Sequence, residues 1–197
     1  MTPRECRTVW LIRHAESSWN ALGRWQGWSD PGLSSRGREQ AHQLARGLAG
    51  AGIEGIVASD LRRARETAAI VGCGLGVEPS VDARLRERDL GEWSGLTTPE
   101  IAGRWPRELA KLRARDPELR PGGGESTRQV LARVRSFLAD LAARPGPERV
   151  ALVTHGGVIR ALGAAAPVLN ASWLALGLDA LHGDPGLPAS AADLETL

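Results

Sequence analysis

The chain has 197 residues, a net charge of +2, and 42% hydrophobic and 24% charged residues, which is the composition of one ordinary globular domain. No apolar run approaches the roughly 20 residues that a membrane-spanning helix needs, so we expect no membrane partner. The first residues lack an apolar signal core, and two cysteines cannot build a disulfide framework, so we expect a cytoplasmic protein.

Arginine dominates the basic residues, because Lys111 is the only lysine among 25 Lys and Arg residues. A Walker-type phosphate loop needs a lysine after its glycines, and no such loop precedes Lys111, which excludes ATP hydrolysis by that route. The arginines alternate with 23 acidic residues and form no tract. We therefore expect no nucleic-acid partner.

The first third of the chain alternates strand and helix patterns. We predict a strand over residues 8–12, a loop over 15–33 and a helix from about 35 to 48, with Ser34 or Ser35 as its N-cap. A short buried strand over 55–58 follows. Ser59 and Asp60 can then cap a helix over about 61–71.

The remaining pattern begins weakly and ends with the same alternation. We predict an extended piece around residue 81, a loop over 87–96 and a short helix from Thr98 with proline in its first turn. Ser126 and Gln129 form a capping box for a helix to about 142. A strand over 150–154 and a helix over about 158–168 follow.

These elements predict an α/β fold, a three-layer sandwich with a mostly parallel central sheet flanked by helices. We expect a single domain over residues 1–182, with a loop and helix cap inserted at about 88–125 that roofs a pocket. Residues 183–197 are rich in Pro, Gly, Ser and Ala and are expected to form a flexible tail.

Two predicted strands end in a histidine. Arg13-His14 follows the first strand, and His155 follows the strand over 150–154. Ligands bind at the carboxyl ends of strands in open α/β sheets, so both imidazoles can face one crevice. A lone histidine at a strand end is commonly structural, but Ser17, Asn20 and the arginines at the start of the next helix add hydrogen-bond donors here.

The residues around these histidines resemble the histidine phosphatase superfamily, in its phosphoglycerate mutase-like branch of broad-specificity phosphatase type. Five blocks in order over about residues 9–160 are far more specific than an Arg-His-x-Glu motif alone. The blocks are Leu11-Ile12-Arg13-His14-Ala15-Glu16-Ser17 with Asn20 and Gly23-Arg24-Trp25-Gln26-Gly27-Trp28, Ser59-Asp60-Leu61-Arg62-Arg63-Ala64, Leu85-Arg86-Glu87 with Gly91-Glu92-Trp93-Ser94-Gly95-Leu96, Gly123-Gly124-Glu125-Ser126, and Thr154-His155-Gly156-Gly157.

The resemblance implies a role for each of these residues. His14 would be the nucleophile that forms a covalent phosphohistidine, and Glu87 would protonate the leaving alkoxide. The residues implied to bind the phosphate are Arg13, Asn20, Arg63 and His155. Further candidates for substrate contacts are Ser17, Gln26, Gly27, Arg88 and Gly156. No cofactor is implied, and the remaining histidines, His42 and His182, lack the spacing of metal ligands.

Phosphatases and mutases of this kind differ in whether water or a second substrate oxygen takes the phosphoryl group. The mutases carry a longer segment before the Gly-Gly-Glu-Ser block and an Arg-x-Tyr after the glutamate, whereas this chain has no tyrosine. We therefore predict a metal-independent phosphatase for a small phosphate monoester, of sugar phosphate or phosphoglycerate type. A cofactor-dependent phosphoglycerate mutase is the alternative, and a non-catalytic anion-binding protein is a remote one. The expected partner is a small phosphorylated metabolite, and a homodimer stays open.

Two further features leave alternatives open. The tryptophans of the loops near His14 can pack those loops or form a wall for a sugar. These are Trp19, Trp25, Trp28 and Trp93. The family returns with a final strand near an Asn-Ala-Ser motif, which here is either Asn170-Ala171-Ser172 or, at a better-matching distance, Asp179-Ala180-Leu181. We expect no convincing strand after either, because Gly and Pro of residues 183–186 intervene.

Overall fold

The computed structural model describes residues 7–164 and 168–181, which contain one five-stranded sheet. Its strands are β1 (Thr8–Arg13), β2 (Gly55–Ala58), β3 (Pro79–Val81), β4 (Arg149–Thr154) and β5 (Trp173–Gly177). The strand order is β3-β2-β4-β1-β5. Every pairing is parallel except that of β5, which runs antiparallel to β1. The predicted α/β fold with a mostly parallel sheet is confirmed.

Helices cover both faces of this sheet. They are α1 (Ser18–Ala21), α2 (Ser35–Gly47), α3 (Arg62–Leu75), α4 (Thr98–Arg104), α5 (Pro106–Arg113), α6 (Thr127–Ala143) and α7 (Gly156–Ala161). Side chains of a strand alternate between the faces, so Leu11 packs with α6 residues such as Phe137, whereas Ile12 packs with Leu44 of α2 and Val71 of α3. Each such buried side chain stabilises the fold by roughly 2 kcal/mol.

Of the N-caps predicted for α2, α3 and α6, the structure contains those of α2 and α6. The Ser34 hydroxyl accepts a hydrogen bond from the Gly37 N–H at 2.9 Å, and Ser126 and Gln129 form the predicted capping box of α6. The helix α3 begins at Arg62, whose N–H donates to the side chain of Asp30, so the predicted cap by Ser59 or Asp60 is wrong. Asp60 instead accepts two hydrogen bonds from Arg86, at 2.6 and 2.7 Å.

Residues 88–125 carry α4 and α5, and α5 lies where we predicted no helix. Its apolar residues pack with Trp93, which is fully buried. Trp25 meets the edge of the Trp93 ring with centroids 5.9 Å apart. For these two tryptophans the structure confirms the packing interpretation, although Trp25 also lines the cavity described below.

The region after His155 corrects two expectations. The helix α7 ends at Ala161 rather than near residue 168, and Gly163 follows with a φ of +107°. A final strand does exist, because Asn170-Ala171-Ser172 leads directly into β5. The glycine and proline of residues 183–186 lie beyond that strand and cannot interrupt it. The expected tail over 183–197 lies outside the described residues, as do His182 and Cys6. No helix among the described residues is long and apolar enough to cross a membrane.

Candidate active site

The two histidines meet because β1 and β4 are adjacent and parallel. Arg13 is paired in register with Thr154, so the next residue of each strand is a histidine. The backbone N–H of His14 donates to the Thr154 carbonyl at 2.9 Å, and the rings of His14 and His155 lie 5.1 Å apart between centroids. The predicted crevice with two imidazoles is present.

His14 is held with one ring nitrogen available for chemistry. Its Nδ1 lies 2.7 Å from the Ala15 carbonyl and donates to it, so the lone pair resides on Nε2. The Nε–H of Arg63 donates to that Nε2 at 3.3 Å. Burial, and then the charges of Arg63 and Arg13, hold the pKa of His14 well below its ordinary value. The ring is therefore neutral at pH 7, as a nucleophile must be.

Arg63 is a buried arginine whose guanidinium is oriented by backbone carbonyls. It lies at the start of α3 and donates to the carbonyls of Ser29 at 2.8 Å and Gly27 at 2.9 Å. Burial lowers its pKa to about 10, so it keeps its charge at neutral pH. Thr67 donates to the Arg63 carbonyl at 2.8 Å and accepts from the Ala15 N–H at 3.0 Å. This threonine ties α3 to the segment that carries His14.

Unsatisfied polar atoms surround the two rings. The Nε of Arg13 and both ring nitrogens of His155 are buried without a hydrogen-bond partner among residues 7–164 and 168–181. The remaining guanidinium of Arg13 donates to the Val168 carbonyl. Burial lowers the pKa of Arg13 and, followed by the charge of Arg63, lowers the pKa of His155 well below its ordinary value. Buried donors without partners favour an anionic ligand at this point.

Asn20 presents its amide nitrogen because its oxygen is already occupied. The oxygen accepts from the Ser17 N–H at 3.1 Å and from the Asn170 side chain at 3.2 Å. Ser17 itself is fully buried, caps α1 and donates to Gln26 at 2.8 Å. It therefore holds Asn20 in place through protein contacts. Asn170, for which we predicted no site role, also donates to the His14 carbonyl at 3.1 Å. Its Asn-Ala-Ser motif was the available signal.

Glu87 is held by two backbone N–H groups. Its carboxylate accepts from Arg88 N–H at 2.8 Å and from Gly157 N–H at 3.1 Å, which places it beside the loop that carries His155. A Cβ atom at Gly157 would lie 2.0 Å from a carboxylate oxygen of Glu87, so any side chain here would displace that carboxylate from its present position. Trp28 donates to the Glu87 carbonyl at 2.8 Å and thereby steadies the same residue.

Five of these residues line one end of an open cavity of about 700 Å³, whereas His155 is not among the lining residues. Arg13, His14, Asn20, Arg63 and Glu87 form its inner end, which we call the phosphate end. The outer part, which we call the cap end, is lined by Trp25, Leu90, Leu109, Leu112 and Val130, with the exposed Arg113 and Arg115. Arg160 also lines the cavity, but it lies near Arg13. Of the further candidates for substrate contacts, Gln26, Gly27 and Arg88 also line the cavity, whereas Ser17 and Gly156 do not.

Two of these candidates are committed to protein contacts. Arg88 donates to the Glu125 carbonyl at 2.7 Å and to the Leu119 carbonyl, so it ties the Glu87 segment to the cap. Gly156 starts α7, and a Cβ there would lie 3.4 Å from the Nε of Arg13. Among the described residues, no group of three or more His, Cys, Asp or Glu side chains could hold a metal ion.

An α/β sheet that presents two strand-end histidines among buried arginines is the architecture of a histidine-dependent phosphatase. A family model described as "Histidine phosphatase superfamily (branch 1)" matches residues 9–178. The chain belongs to this superfamily, as the sequence predicted.

Several known proteins similar to the chain are named as phosphatases, and others as phosphoglycerate mutases, such as a probable phosphoglycerate mutase of Enterobacter sp. that is 39% identical over 75% of this chain and 69% of the relative. It is 41% identical to a glucosyl-3-phosphoglycerate phosphatase of Mycolicibacterium vanbaalenii, over 91% of this chain and 88% of the relative. It is 36% identical to phosphoserine phosphatase 1 of Hydrogenobacter thermophilus, over 77% and 72%. A mycobacterial glucosyl-3-phosphoglycerate phosphatase solved with VO3 superposes with a TM-score of 0.77 at 39% identity, over 87% and 91%. The predicted phosphatase class is confirmed.

Proposed function

We propose that this phosphatase hydrolyses a small phosphate monoester, of phosphoglycerate or sugar phosphate type, through a phosphohistidine on His14. The observation that carries the proposal is the neutral His14, whose Nε2 lone pair lies within reach of Arg63 and beside the unpartnered nitrogens of Arg13 and His155. A nucleophile surrounded by donors for the equatorial phosphate oxygens is what phosphoryl transfer requires.

The reaction would proceed in two balanced steps. In the first, His14 Nε2 attacks phosphorus, the ester P–O bond breaks, and Glu87 gives its proton to the leaving alkoxide. In the second, Glu87 takes a proton from water, the water oxygen attacks phosphorus, and the N–P bond breaks to release inorganic phosphate. Arg13, Asn20, Arg63 and His155 would offset the charge on the phosphate oxygens in both steps.

The charge of the cap end supports a substrate with a second anionic group. Arg113 and Arg115 line the cavity at this end and make no ion pair within the described residues. The relatives named above act, by their names, on glucosyl-3-phosphoglycerate and phosphoserine, and both compounds carry a carboxylate beside the phosphate ester. A carboxylate would interact favourably with these guanidinium groups.

The test is steady-state phosphate release from p-nitrophenyl phosphate, 3-phosphoglycerate, phosphoserine and several sugar phosphates, in the presence of EDTA. Conversion of 3- to 2-phosphoglycerate is followed in parallel. Release with a strong preference for one carboxylated ester would support the proposal. Isomerisation without release would instead indicate the mutase, and no reaction with any ester would favour the anion-binding protein.

The role of Glu87 has its own test. Glu87→Gln should slow hydrolysis of alkyl phosphates by about 100-fold and of p-nitrophenyl phosphate by much less, because a nitrophenolate leaves without protonation. The kcat/KM values of both esters measure this difference. Equal losses on both would argue against Glu87 as the acid.

The remaining expectations concern the setting of the enzyme. We propose that it acts in the cytoplasm, without a cofactor, on a free phosphorylated metabolite and on neither nucleic acids nor membranes. Whether it forms a homodimer is decided by sedimentation equilibrium, in which a mass near 21.0 kDa means a monomer and twice that mass a dimer.

A further inference from the structure

One block of the sequence has no role in the mechanism above, namely Gly123-Gly124-Glu125-Ser126. Glu125 lies just before α6, and its side chain is only 17% exposed. Its carboxylate accepts hydrogen bonds from the Asp89 N–H at 3.0 Å and from Arg133 at 2.8 and 2.9 Å. Burial alone would raise the pKa of Glu125, but these hydrogen bonds and the charge of Arg133 lower it below its ordinary value. Glu125 is therefore an ionised anchor beside the segment that carries Glu87.

Arg133 of α6 uses all five of its guanidinium N–H groups. Two bind the carboxylate of Glu125, as given above. The other three donate to consecutive parts of the Glu87 segment, namely the carbonyls of Arg84 at 2.9 Å, Arg86 at 2.6 Å and Glu87 at 2.8 Å. A lysine has three donors and no planar fork, so it could not reproduce this pattern.

The glycines of the block press against the other side of the same segment. A Cβ at Gly124 would lie 2.2 Å from the Asp89 carbonyl oxygen, and one at Gly122 would lie 2.5 Å from that of Leu90. The backbone of residues 122–124 thus packs directly on residues 89–91. Arg133 therefore holds residues 84–87 by hydrogen bonds, and the glycine backbone of residues 122–124 packs against residues 89–91. Together they fix the position of the segment that carries Glu87.

We infer that Arg133 and Glu125 are positioning residues for the general acid Glu87. This inference rests on the proposed role of Glu87 as proton donor. Neither residue lines the cavity, and the guanidinium of Arg133 has all five N–H groups bonded within the protein, so neither is placed to contact the substrate. They act by fixing the Glu87 backbone, which leaves its carboxylate within reach of the N–H groups of Arg88 and Gly157. A misplacement of about 1 Å at a reacting group can lower the rate by roughly 100-fold.

The distinguishing prediction is a loss that depends on the leaving group. Arg133→Gln should lower kcat for an alkyl phosphate by about 100-fold, with little change in KM, and for p-nitrophenyl phosphate by less than about 10-fold. Glu125→Gln should show the same difference at smaller size. Arg133→Lys should fall between Arg133→Gln and the unchanged enzyme. A merely structural role would lower both rates by the same factor.

The experiment measures kcat and KM for both esters in the full chain and in these variants, with Glu87→Gln as the reference. Arg149→Gln is the matched control, because Arg149 also pairs with a glutamate, Glu54, at 2.9 Å and donates to a carbonyl, but at the opposite end of β4. It should leave both rates unchanged. Thermal unfolding of each variant shows whether it is folded. If Arg133→Gln does not fold, the comparison of the two esters is made with Glu125→Gln and Arg133→Lys instead.

The outcomes separate the inference from the proposed function. If Glu87→Gln shows the leaving-group difference and the folded Arg133 and Glu125 variants do not, the positioning role is wrong. If Glu87→Gln itself shows no difference, the proposed acid is wrong and the inference falls with it. If all these variants share the difference and Arg149→Gln does not, the positioning role is supported.

Discussion

The phosphate end and the cap end of the cavity are built in different ways. At the phosphate end, His14 and Arg63 are buried at the ends of a strand and the start of a helix, and backbone carbonyls orient both. At the cap end, Arg113 and Arg115 are exposed near the end of α5 and form no ion pair within the described residues. The comparison indicates that the reacting group meets a rigid, preorganised site, whereas the rest of the substrate meets side chains that can adjust.

The largest expected effect comes from removing the proposed nucleophile, His14, from the phosphate end. His14→Ala should lower kcat by at least about 10⁴-fold and abolish the phosphoenzyme, since no other group replaces Nε2. The measurement is rapid quench at alkaline pH with a labelled ester, followed by detection of protein-bound phosphate. His42→Ala, an exposed histidine of α2, is the control and should keep full activity. Phosphoenzyme in His14→Ala would refute the assignment.

A smaller loss of kcat/KM is expected from Arg63→Lys, which keeps the positive charge but not the planar set of guanidinium N–H donors. Lysine cannot donate to Gly27, Ser29 and the phosphate together, so kcat/KM should fall by about 100-fold on every ester. Phosphate release from aryl and alkyl esters measures the loss. The neighbouring Arg62→Lys is the control, because Arg62 is exposed and pairs with Glu66 at 2.7 Å. A loss confined to one ester would contradict the prediction that Arg63 binds the phosphate group that all the esters share.

The cap end should respond in KM rather than in kcat. The double variant Arg113→Gln with Arg115→Gln should raise KM for the preferred carboxylated ester by about 10-fold, because exposed charges contribute modestly to binding. Kinetics with p-nitrophenyl phosphate should be unchanged, since that ester has no second anionic group. Arg107→Gln, on the same helix but not lining the cavity, should change neither. An equal rise for both esters would remove the distinction between the two ends.

The smallest effect is on stability and tests the burial of the two rings. The pKa values of His14 and His155 lie well below 6.5, chiefly because of burial and then because of Arg63. Below pH 6.5 the unfolded chain therefore binds protons that the folded chain does not. The free energy of unfolding is thus highest above pH 6.5 and falls below it, by roughly 1 kcal/mol per histidine per pH unit.

Calorimetry between pH 8 and 5 measures this dependence as a decrease in Tm of a few degrees per pH unit. The variant His155→Gln should lose Tm less steeply than the unchanged protein over the same range. His42→Gln controls for the loss of an exposed histidine and should leave the slope unaltered. If Tm changed with pH equally in all three proteins, protonation of the buried histidines would not be the cause of the loss of stability at acid pH.

The phosphate end could be predicted from the sequence because its signals are local. Apolar runs that stop at Arg13-His14 and at His155 indicate buried strands, and parallel strands bring their ends together, so the phosphate end was foreseeable. The N-cap at Ser34 and the capping box at Ser126 give helix starts for the same local reason. These signals lie within a few residues of the feature that they predict.

The misses concern features that depend on distant partners. The strand β5 is stabilised by pairing with β1, which precedes it by more than 150 residues, and its own apolar run is short. The bond from Asn170 to Asn20 and those from Arg133 to the Glu87 segment join separate elements in the same way. Arg133 looks like any solvated arginine of a helix in the sequence, because only the fold brings three carbonyls to it.

The position of β1 in the sheet has a consequence for biosynthesis. This strand is made before the other four, yet its two neighbours are β4 and β5, which begin at Arg149 and Trp173. As the chain leaves the ribosome, both edges of β1 therefore stay unpaired until most of the polypeptide has been synthesised. Long-range pairing of this kind slows folding and leaves strand edges exposed to aggregation. A nascent chain of this phosphatase is thus expected to need chaperone protection until translation has passed residue 177.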